Sequence, residues 1–146
     1  MKIERFEDIE SWQLGRKLTN AVYASSKTGP FARDWALKDQ IRRAAGSIMH
    51  NVAEGFDSGT NAEFIRFLGY AKRSCTEVQS QLYVALDEQY VTETEFEELY
   101  ELARLIRSKT GSFIKYLAGY EQRSGATRRV REASEDIDYA TELMNN

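Results

Sequence analysis

The chain has 146 residues, of which 42% are hydrophobic and 29% charged, with one proline and a formal net charge of -3. This length predicts one domain with its own core, and the composition excludes a disordered chain and a turn-rich β-sandwich. The sequence has no apolar run of about 18 residues, no second cysteine beside Cys75 and no secretory signal, so we predict a cytoplasmic protein without a membrane span or an internal disulfide.

The first predicted helix runs from Ser11 to Lys27. Ser11 has the side chain of an N-cap, and the apolar residues that follow it repeat at helical spacing. These residues are Leu14, Leu18, Ala21 and Val22. Gly29 and Pro30 then predict the end of the helix, because glycine is common just after a helix and proline cannot continue one.

The second and third predicted helices flank a short loop. The second spans Ala32 to Glu54 and ends at Gly55, and the third spans Asn61 to Gln89. The apolar residues of the second helix are Leu37, Ile41, Ala44, Ala45, Ile48 and Val52. Those of the third are spaced alternately four and three apart: Phe64, Leu68, Ala71, Cys75, Val78, Leu82 and Ala85. Such heptad spacing is typical of left-handed helix bundles.

The fourth predicted helix begins at Thr92, where Glu95 completes a capping box. Heptad spacing continues through Phe96, Leu99, Ala103, Ile106, Thr110, Phe113 and Leu117. Two matched helices with a short link predict an antiparallel hairpin, and the four helices together predict an all-α, up-down antiparallel four-helix bundle. We assign residues 1–120 to this bundle and residues 121–146 to a charged C-terminal extension, either a short helix or an extended segment.

The predicted core combines the heptad positions with the apolar face of the second helix. We expect these residues to be buried together: Leu68, Val78, Leu82, Leu99, Ile106 and Phe113, with Ile41, Ile48 and Val52 facing them. Charge is divided between two parts of the chain. Residues 76–105 contain eight acidic side chains and one basic one, whereas residues 31–75 contain seven basic side chains and five acidic ones.

A polar stripe follows the second predicted helix opposite its apolar residues, and on the third helix Tyr70 lies between Arg66 and Arg73 on a similar outer face. Three interpretations of these faces stay open: a solvated surface, a subunit interface and a nucleic-acid surface. Arginine, tyrosine and neighbouring small residues suit an interface. The predicted interface residues are Gln40, Arg43, Ser47, His50, Asn51, Glu54 and Tyr70.

Six basic side chains form the candidate nucleic-acid surface. They are Lys38, Arg42, Arg43, Arg66, Lys72 and Arg73. Antiparallel packing of the second and third helices predicts that Arg42 and Arg43 lie close to Lys72 and Arg73. A patch of this kind would bind phosphates without reading a base sequence.

No motif in the sequence favours catalysis. His50 is the only histidine and Cys75 the only cysteine, so the residues of a common zinc site are missing. The sequence also lacks the Glu-x-x-His pairs of di-iron bundles and the lysine of a phosphate-binding loop. We therefore predict a protein that is not an enzyme and holds neither a metal nor a cofactor.

The stretch QIRRAAGSIMHNVAEG, residues 40–55, resembles the signature of the small bacterial four-helix bundle proteins encoded in intervening sequences of 23S rRNA genes, the S23 family. The segments FEDIESWQLGRKLTNAVY and EFIRFLGYAKRSCTEVQSQL are similar to the helices that flank that signature. The resemblance covers about Phe6 to Tyr120 and implies a four-helix bundle that assembles as a homopentamer.

A related branch of that family, the accessory variability determinants of diversity-generating retroelements, binds nucleic acid and works with a reverse transcriptase. The resemblance therefore implies RNA, or a nucleic-acid enzyme such as a reverse transcriptase, as a partner. Two functions stay open. The first is a nucleic-acid-associated accessory protein, and the second is a structural or protein-interaction scaffold that binds no nucleic acid.

Overall fold

The computed structural model describes the backbone of residues 3–124 and the side chains of residues 3–120. A short 3-10 turn at Phe6–Asp8 precedes five helices: α1 at Glu10–Ser25, α2 at Gly29–Arg33, α3 at Trp35–Asp57, α4 at Asn61–Asp87 and α5 at Glu93–Ser124. Within this described range, no helix combines the length and the apolar character that crossing a membrane requires.

The four long helices pack as an antiparallel bundle. Between α3 and α4, Ser47 meets Ser74 and Gly55 meets Phe67, so the two helices run in opposite directions. Helix α1 packs against both α3 and α5, which closes the bundle. The predicted all-α bundle is therefore confirmed.

The heptad residues fill the centre of the bundle. All seven heptad positions of α4 are buried, as are Leu99, Ile106 and Leu117 of α5. Phe113 is only half-buried, against the prediction of a core position. Glu10, the first residue of α1, pairs with Lys109 of α5. Phe113 is one helical turn further along α5, beyond the start of α1, so α1 does not bury it.

Helix α1 begins differently from the prediction. Its N-cap is Ile9, which makes no side-chain cap hydrogen bond, and Ser11 lies inside the helix and is buried. The Thr110 hydroxyl donates to the Ser11 hydroxyl across 3.4 Å. The N-cap prediction for Ser11 is therefore wrong, because this small polar residue packs against α5 instead of closing the end of its own helix.

The second predicted helix is in fact two helices. Pro30 stands in the first turn of the five-residue α2, where its missing N–H group costs nothing. Asp34 then begins α3, since its carboxylate accepts a hydrogen bond from the Leu37 backbone N–H at 3.1 Å. Asp34 also accepts a hydrogen bond from the Tyr90 hydroxyl at 3.0 Å, and the Tyr90 ring stacks on Phe31 with 5.2 Å between centroids. Helix α2 thereby anchors the link between α4 and α5.

The capping box at the start of α5 is confirmed. The Glu95 backbone N–H donates to the Thr92 hydroxyl at 3.1 Å, and the Thr92 backbone N–H donates to the Glu95 carboxylate at 3.4 Å. Helix α5 continues past the predicted boundary at residue 120 to Ser124. Residues 125–146, the rest of the predicted extension, lie outside the described residues.

Candidate interaction surfaces

A polar cleft of about 560 Å³ lies between α1 and α3. Helix α1 supplies Thr19 and Tyr23, and α3 supplies Asp39, Arg42, Arg43, Gly46, Ser47, His50, Asn51 and Glu54. Five of the seven predicted interface residues therefore line one concave surface, which we call the polar cleft. Gln40 and Tyr70 do not line it.

Two glycines shape the polar cleft. At Gly15, an added Cβ would lie 3.3 Å from Ile48 Cγ2 and 3.3 Å from Met49 Cβ, so only glycine lets α1 approach α3 this closely without a shift. Gly46 lines the cleft itself, where an added Cβ would lie 3.5 Å from His50 Nε2, an ordinary contact distance. Gly46 is therefore the one residue of α3 lining the cleft that contributes no side chain to it.

Two polar side chains of the cleft, Ser47 and Asn51, are held by hydrogen bonds within the chain. Asn51 Nδ2 donates to the Ser47 carbonyl at 2.8 Å and to the Ser47 hydroxyl at 2.9 Å. The Ser74 hydroxyl, on α4, donates to the same Ser47 hydroxyl at 3.0 Å. Because three residues on two helices share these bonds, this part of the polar face is already ordered in the single chain.

Arg42 forms one end of the cleft. Its Nε donates to the Ser26 hydroxyl at 2.9 Å, and its Nη2 donates to the Ser26 carbonyl at 3.3 Å. Its guanidinium lies 4.3 Å from the centroid of the half-exposed Tyr23 ring. Ser26 is the C-cap of α1, so Arg42 satisfies a carbonyl group at the end of that helix, where a cation is also favoured by the helix dipole.

Two further cations of the predicted nucleic-acid surface form ion pairs within the chain. Arg43 forms an ion pair with Asp39 at 3.1 Å, and Arg66 forms one with Glu63 at 2.9 Å. The hydrogen bond that Arg66 donates to the Glu63 carboxylate raises the pKa of Arg66. Because all four side chains are exposed, these pairs contribute little to stability and could exchange for other anions.

Lys38 lies at the start of α3. Its ammonium donates to the Ala32 carbonyl at 3.0 Å and lies 3.7 Å from the centroid of the Trp35 ring. Trp35 is 74% exposed, the most exposed large apolar residue in the described range. Lys38 therefore contacts an exposed ring at the start of α3, one helical turn before Arg42.

The structure does not bring Arg42 and Lys72 together. Arg42 contacts Ser26 at the α1–α3 boundary, whereas the Lys72 ammonium lies 3.8 Å from the position of an added Cβ at Gly111 of α5. The α1–α3 and α4–α5 boundaries are opposite sides of the bundle. Tyr70 does lie between its two predicted arginines, with the guanidinium carbons of Arg66 and Arg73 at 5.9 Å and 5.6 Å from its ring centroid.

Three cations lie along the α4–α5 boundary, and we call them the basic strip: Lys72, Arg107 and Lys115. The prediction included Lys72 but missed Arg107 and Lys115. Arg107 Nε donates to the Thr76 hydroxyl at 3.1 Å, one turn along α4 from Lys72, and Lys115 is exposed one turn beyond Gly111. Within residues 3–120, none of the three cations has a carboxylate within ion-pair distance. A sequence signal existed, since residues 102–120 contain four basic side chains and no acidic one.

The described residues contain no cluster of three or more histidine, cysteine, aspartate or glutamate side chains suited to a metal ion. Burial raises the pKa of the Cys75 thiol to about 12, so the thiolate that nucleophilic chemistry needs is nearly absent at neutral pH. His50 is exposed at the cleft.

Residues 7–112 match a family model described as 23S rRNA-intervening sequence protein. The fold is similar to the crystal structure of a protein of unknown function from the S23 ribosomal protein family of Bacteroides thetaiotaomicron VPI-5482, with a TM-score of 0.66 and 21% sequence identity. That match covers 72% of this chain and 95% of the other chain. A search of curated proteins found no match.

Proposed function

The chain belongs to the 23S rRNA-intervening sequence protein family, and we propose that it is a non-enzymatic helical bundle that assembles with further copies of itself through the polar cleft. The observation that carries this proposal is the ordered, concave arrangement of the cleft. A homopentamer is the assembly that we expect from the family resemblance.

Two physical features of the cleft support a protein contact. Association is penalised by the ordering of side chains, and the bonds among Ser47, Asn51 and Ser74 have already ordered theirs in the single chain. Arginine and tyrosine are enriched in protein interfaces, and Arg42 stacked on Tyr23 presents both at the end of the cleft. Gly46 adds no side chain to the lining of the cleft.

A larger side chain in the lining of the cleft tests this proposal. Gly46→Leu adds a bulky side chain to that lining, whereas Gly69→Leu makes the same change where no atom lies within 4 Å of an added Cβ. Light scattering at micromolar concentration should find an oligomer for the wild type and for Gly69→Leu. We expect a smaller species for Gly46→Leu, with unchanged helical circular dichroism. A monomeric wild type, or a Gly46→Leu variant that assembles normally, would contradict this function.

A second candidate function is association with nucleic acid, and the basic strip favours it. Lys72, Arg107 and Lys115 have no carboxylate partners within the described residues, so neutralising them with phosphates would break no ion pair. Gly111 beside Lys72 has no side chain that would project from the surface between the cations. Repetition of the strip around an oligomer would add phosphate contacts and raise the avidity for a structured RNA.

Binding of a folded RNA at two salt concentrations tests this candidate. Three phosphate contacts per chain predict a log–log salt slope of about -2 to -3. Lys72→Glu/Arg107→Glu should weaken binding and flatten the slope. The control Lys17→Glu/Lys27→Glu, with Lys17 on α1 and Lys27 in the link that follows it, makes the same change in net charge away from the strip. If both double variants bind alike, the strip does not contact RNA. If the wild type binds no RNA at low salt, the protein acts as a scaffold only.

A further inference from the structure

An exposed aromatic cluster lies where α4 ends and α5 begins. The Tyr83 ring centroid is 5.0 Å from that of Phe96 and 5.8 Å from that of Tyr100, and Tyr83 is 51% exposed. We call these three residues the aromatic surface. A cluster of aromatic rings in which one ring is half exposed is more typical of an interaction site than of a helix face that contacts only water.

The border of the aromatic surface is acidic. Asp87 follows Tyr83 by one helical turn, and on α5 Glu93 and Glu97 each precede an aromatic ring by three residues, so all three carboxylates lie beside the rings. All three are exposed, and no cation in residues 3–120 lies within ion-pair distance of them. The nearby sequence supplies no cation to pair with these carboxylates, since residues 74–103 contain eight acidic side chains and no lysine or arginine.

Aromatic faces bordered by carboxylates suit arginine. A guanidinium stacks on the ring and pairs with the carboxylate at the same time, and its weak hydration makes both contacts less costly than they are for lysine. The chain contains such a ligand in residues 125–131, GATRRVR, which hold three arginines and no acidic residue. This segment lies outside the described residues.

The segment cannot reach the aromatic surface of its own molecule. Helix α5 ends at Ser124, 24 residues after Tyr100, so the two ends are about 36 Å apart at 1.5 Å per residue. Arg131 follows Ser124 by seven residues, which span at most about 25 Å even when fully extended. The match in charge is therefore between opposite ends of one rigid helix and can be made only between two molecules.

We propose that the arginine-rich segment 125–131 of one copy docks on the aromatic surface of a second copy. This inference rests on the proposed self-association and names a further contact within it. The contact is head-to-tail, because donor and acceptor lie at opposite ends of α5. Contacts of this type generate a ring when the rotation closes and a filament when it does not.

Disulfide trapping between two variants tests the docking. Glu97→Cys places a thiol beside the aromatic surface, and Arg129→Cys places one in the segment of a second, longer-tagged chain. The buried Cys75 stays in both chains, since its raised pKa keeps it unreactive. Oxidation of the mixture should give a mixed dimer as the main product. The matched control replaces Glu97→Cys with Asn20→Cys, exposed on α1, and should give at least tenfold less mixed dimer.

Charge reversal supplies the second measurement. Arg128→Glu/Arg129→Glu/Arg131→Glu and Glu93→Lys/Glu97→Lys should each weaken self-association at least tenfold, and an equal mixture of the two variants should recover part of it.

The outcomes separate this inference from the proposed function. An intact oligomer that gives no more mixed dimer than the control, or that tolerates both reversals, overturns the docking and leaves self-association through the cleft in place. A monomeric wild type overturns both.

Discussion

At the scale of single residues, Arg42 shows how a hydrogen-bond partner determines whether a cation is available to a ligand. Its sequence position placed it among candidate phosphate ligands, yet its guanidinium donates to the hydroxyl and carbonyl of Ser26, 16 residues earlier in the chain. The sequence contains no sign of this pairing, because the path of the chain between the two helices decides which residues meet. Arg43, its neighbour, has only an exposed ion pair with Asp39.

Replacing Arg42 should therefore destabilise the fold. Arg42→Ala removes two hydrogen bonds from a charged donor and a ring contact, and we expect the free energy of unfolding to fall by about 1–3 kcal/mol. Arg43→Ala is the matched control and should change stability by about 0.5 kcal/mol or less. Urea unfolding followed by circular dichroism measures both. Equal losses for the two variants would show that the Ser26 contact contributes nothing.

Gly55 is a position where α3 and α4 approach too closely for any side chain. An added Cβ would lie 2.7 Å from Phe67 Cβ and 2.8 Å from Phe64 Cδ2. Gly55→Ala should lower the free energy of unfolding by about 1–3 kcal/mol, despite the better helix propensity of alanine. Gly69→Ala meets no atom within 4 Å and should raise it by about 0.5–1 kcal/mol. Thermal unfolding of the pair gives the sign of each change, and a stabilised Gly55→Ala would disprove the close approach.

Cys75 should make the fold sensitive to alkali. Burial raises the pKa of its thiol to about 12 from 9.0, so the folded chain keeps a proton that the unfolded chain loses. This stabilising contribution is complete below pH 9 and is lost between pH 9 and about 12, by up to about 1.4 kcal/mol per pH unit. The free energy of unfolding should therefore fall more steeply with pH in the wild type than in Cys75→Ala. Parallel curves from urea titrations would contradict the burial of this thiol.

At the scale of helices, the heptads were sufficient to predict α4, α5 and their antiparallel pairing, since apolar residues at that spacing have one stable way to be buried. Helix ends were less predictable. Pro30 has the same appearance in sequence whether it ends one helix or begins another, and Ser11 has the chemistry of a cap but packs on Thr110. Local signals cannot tell these alternatives apart, because tertiary contacts decide between them.

Leu82 is a fully buried heptad residue of α4, and its replacement tests the packing of that helix. Leu82→Ala should lower the free energy of unfolding by about 2–5 kcal/mol, because removing the side chain leaves a cavity in a tightly packed core. Val84 on the same helix is 47% exposed, so Val84→Ala should cost less than about 1 kcal/mol. Denaturant midpoints at matched slopes give both values. A loss below about 0.5 kcal/mol for Leu82→Ala would place that residue outside the core.

At the scale of the whole molecule, the bundle was predictable and its surfaces only partly so. The polar face of α3 was identified residue by residue, since helical spacing alone places Arg43, Ser47, His50 and Asn51 on one side. The cleft was not, because it depends on how closely Gly15 lets α1 approach. The basic strip was missed for a related reason: Lys72 and Arg107 belong to different helices, and only packing shows that they share a boundary.

The division of charge along α5 determines how the protein should behave in bulk solution. Its first turns carry the glutamates and its middle carries Arg107 and Lys115 of the basic strip, so charges of opposite sign are separated along the helix although the net charge of the chain is only -3. Oppositely charged regions of neighbouring molecules attract each other most when few ions screen them, and the screening length falls from about 30 Å at 0.01 M salt to about 10 Å at 0.1 M.

The protein should therefore salt in. Its solubility in water at pH 7 should be lowest without added salt and should rise severalfold as sodium chloride increases to about 0.1 M, which precipitation assays at fixed pH can follow. Lys17→Glu/Lys27→Glu, which makes the net charge more negative without changing the charges of α5, should keep this dependence on salt. A solubility that is flat or falls over the same range would mean that net charge alone governs the contacts between molecules.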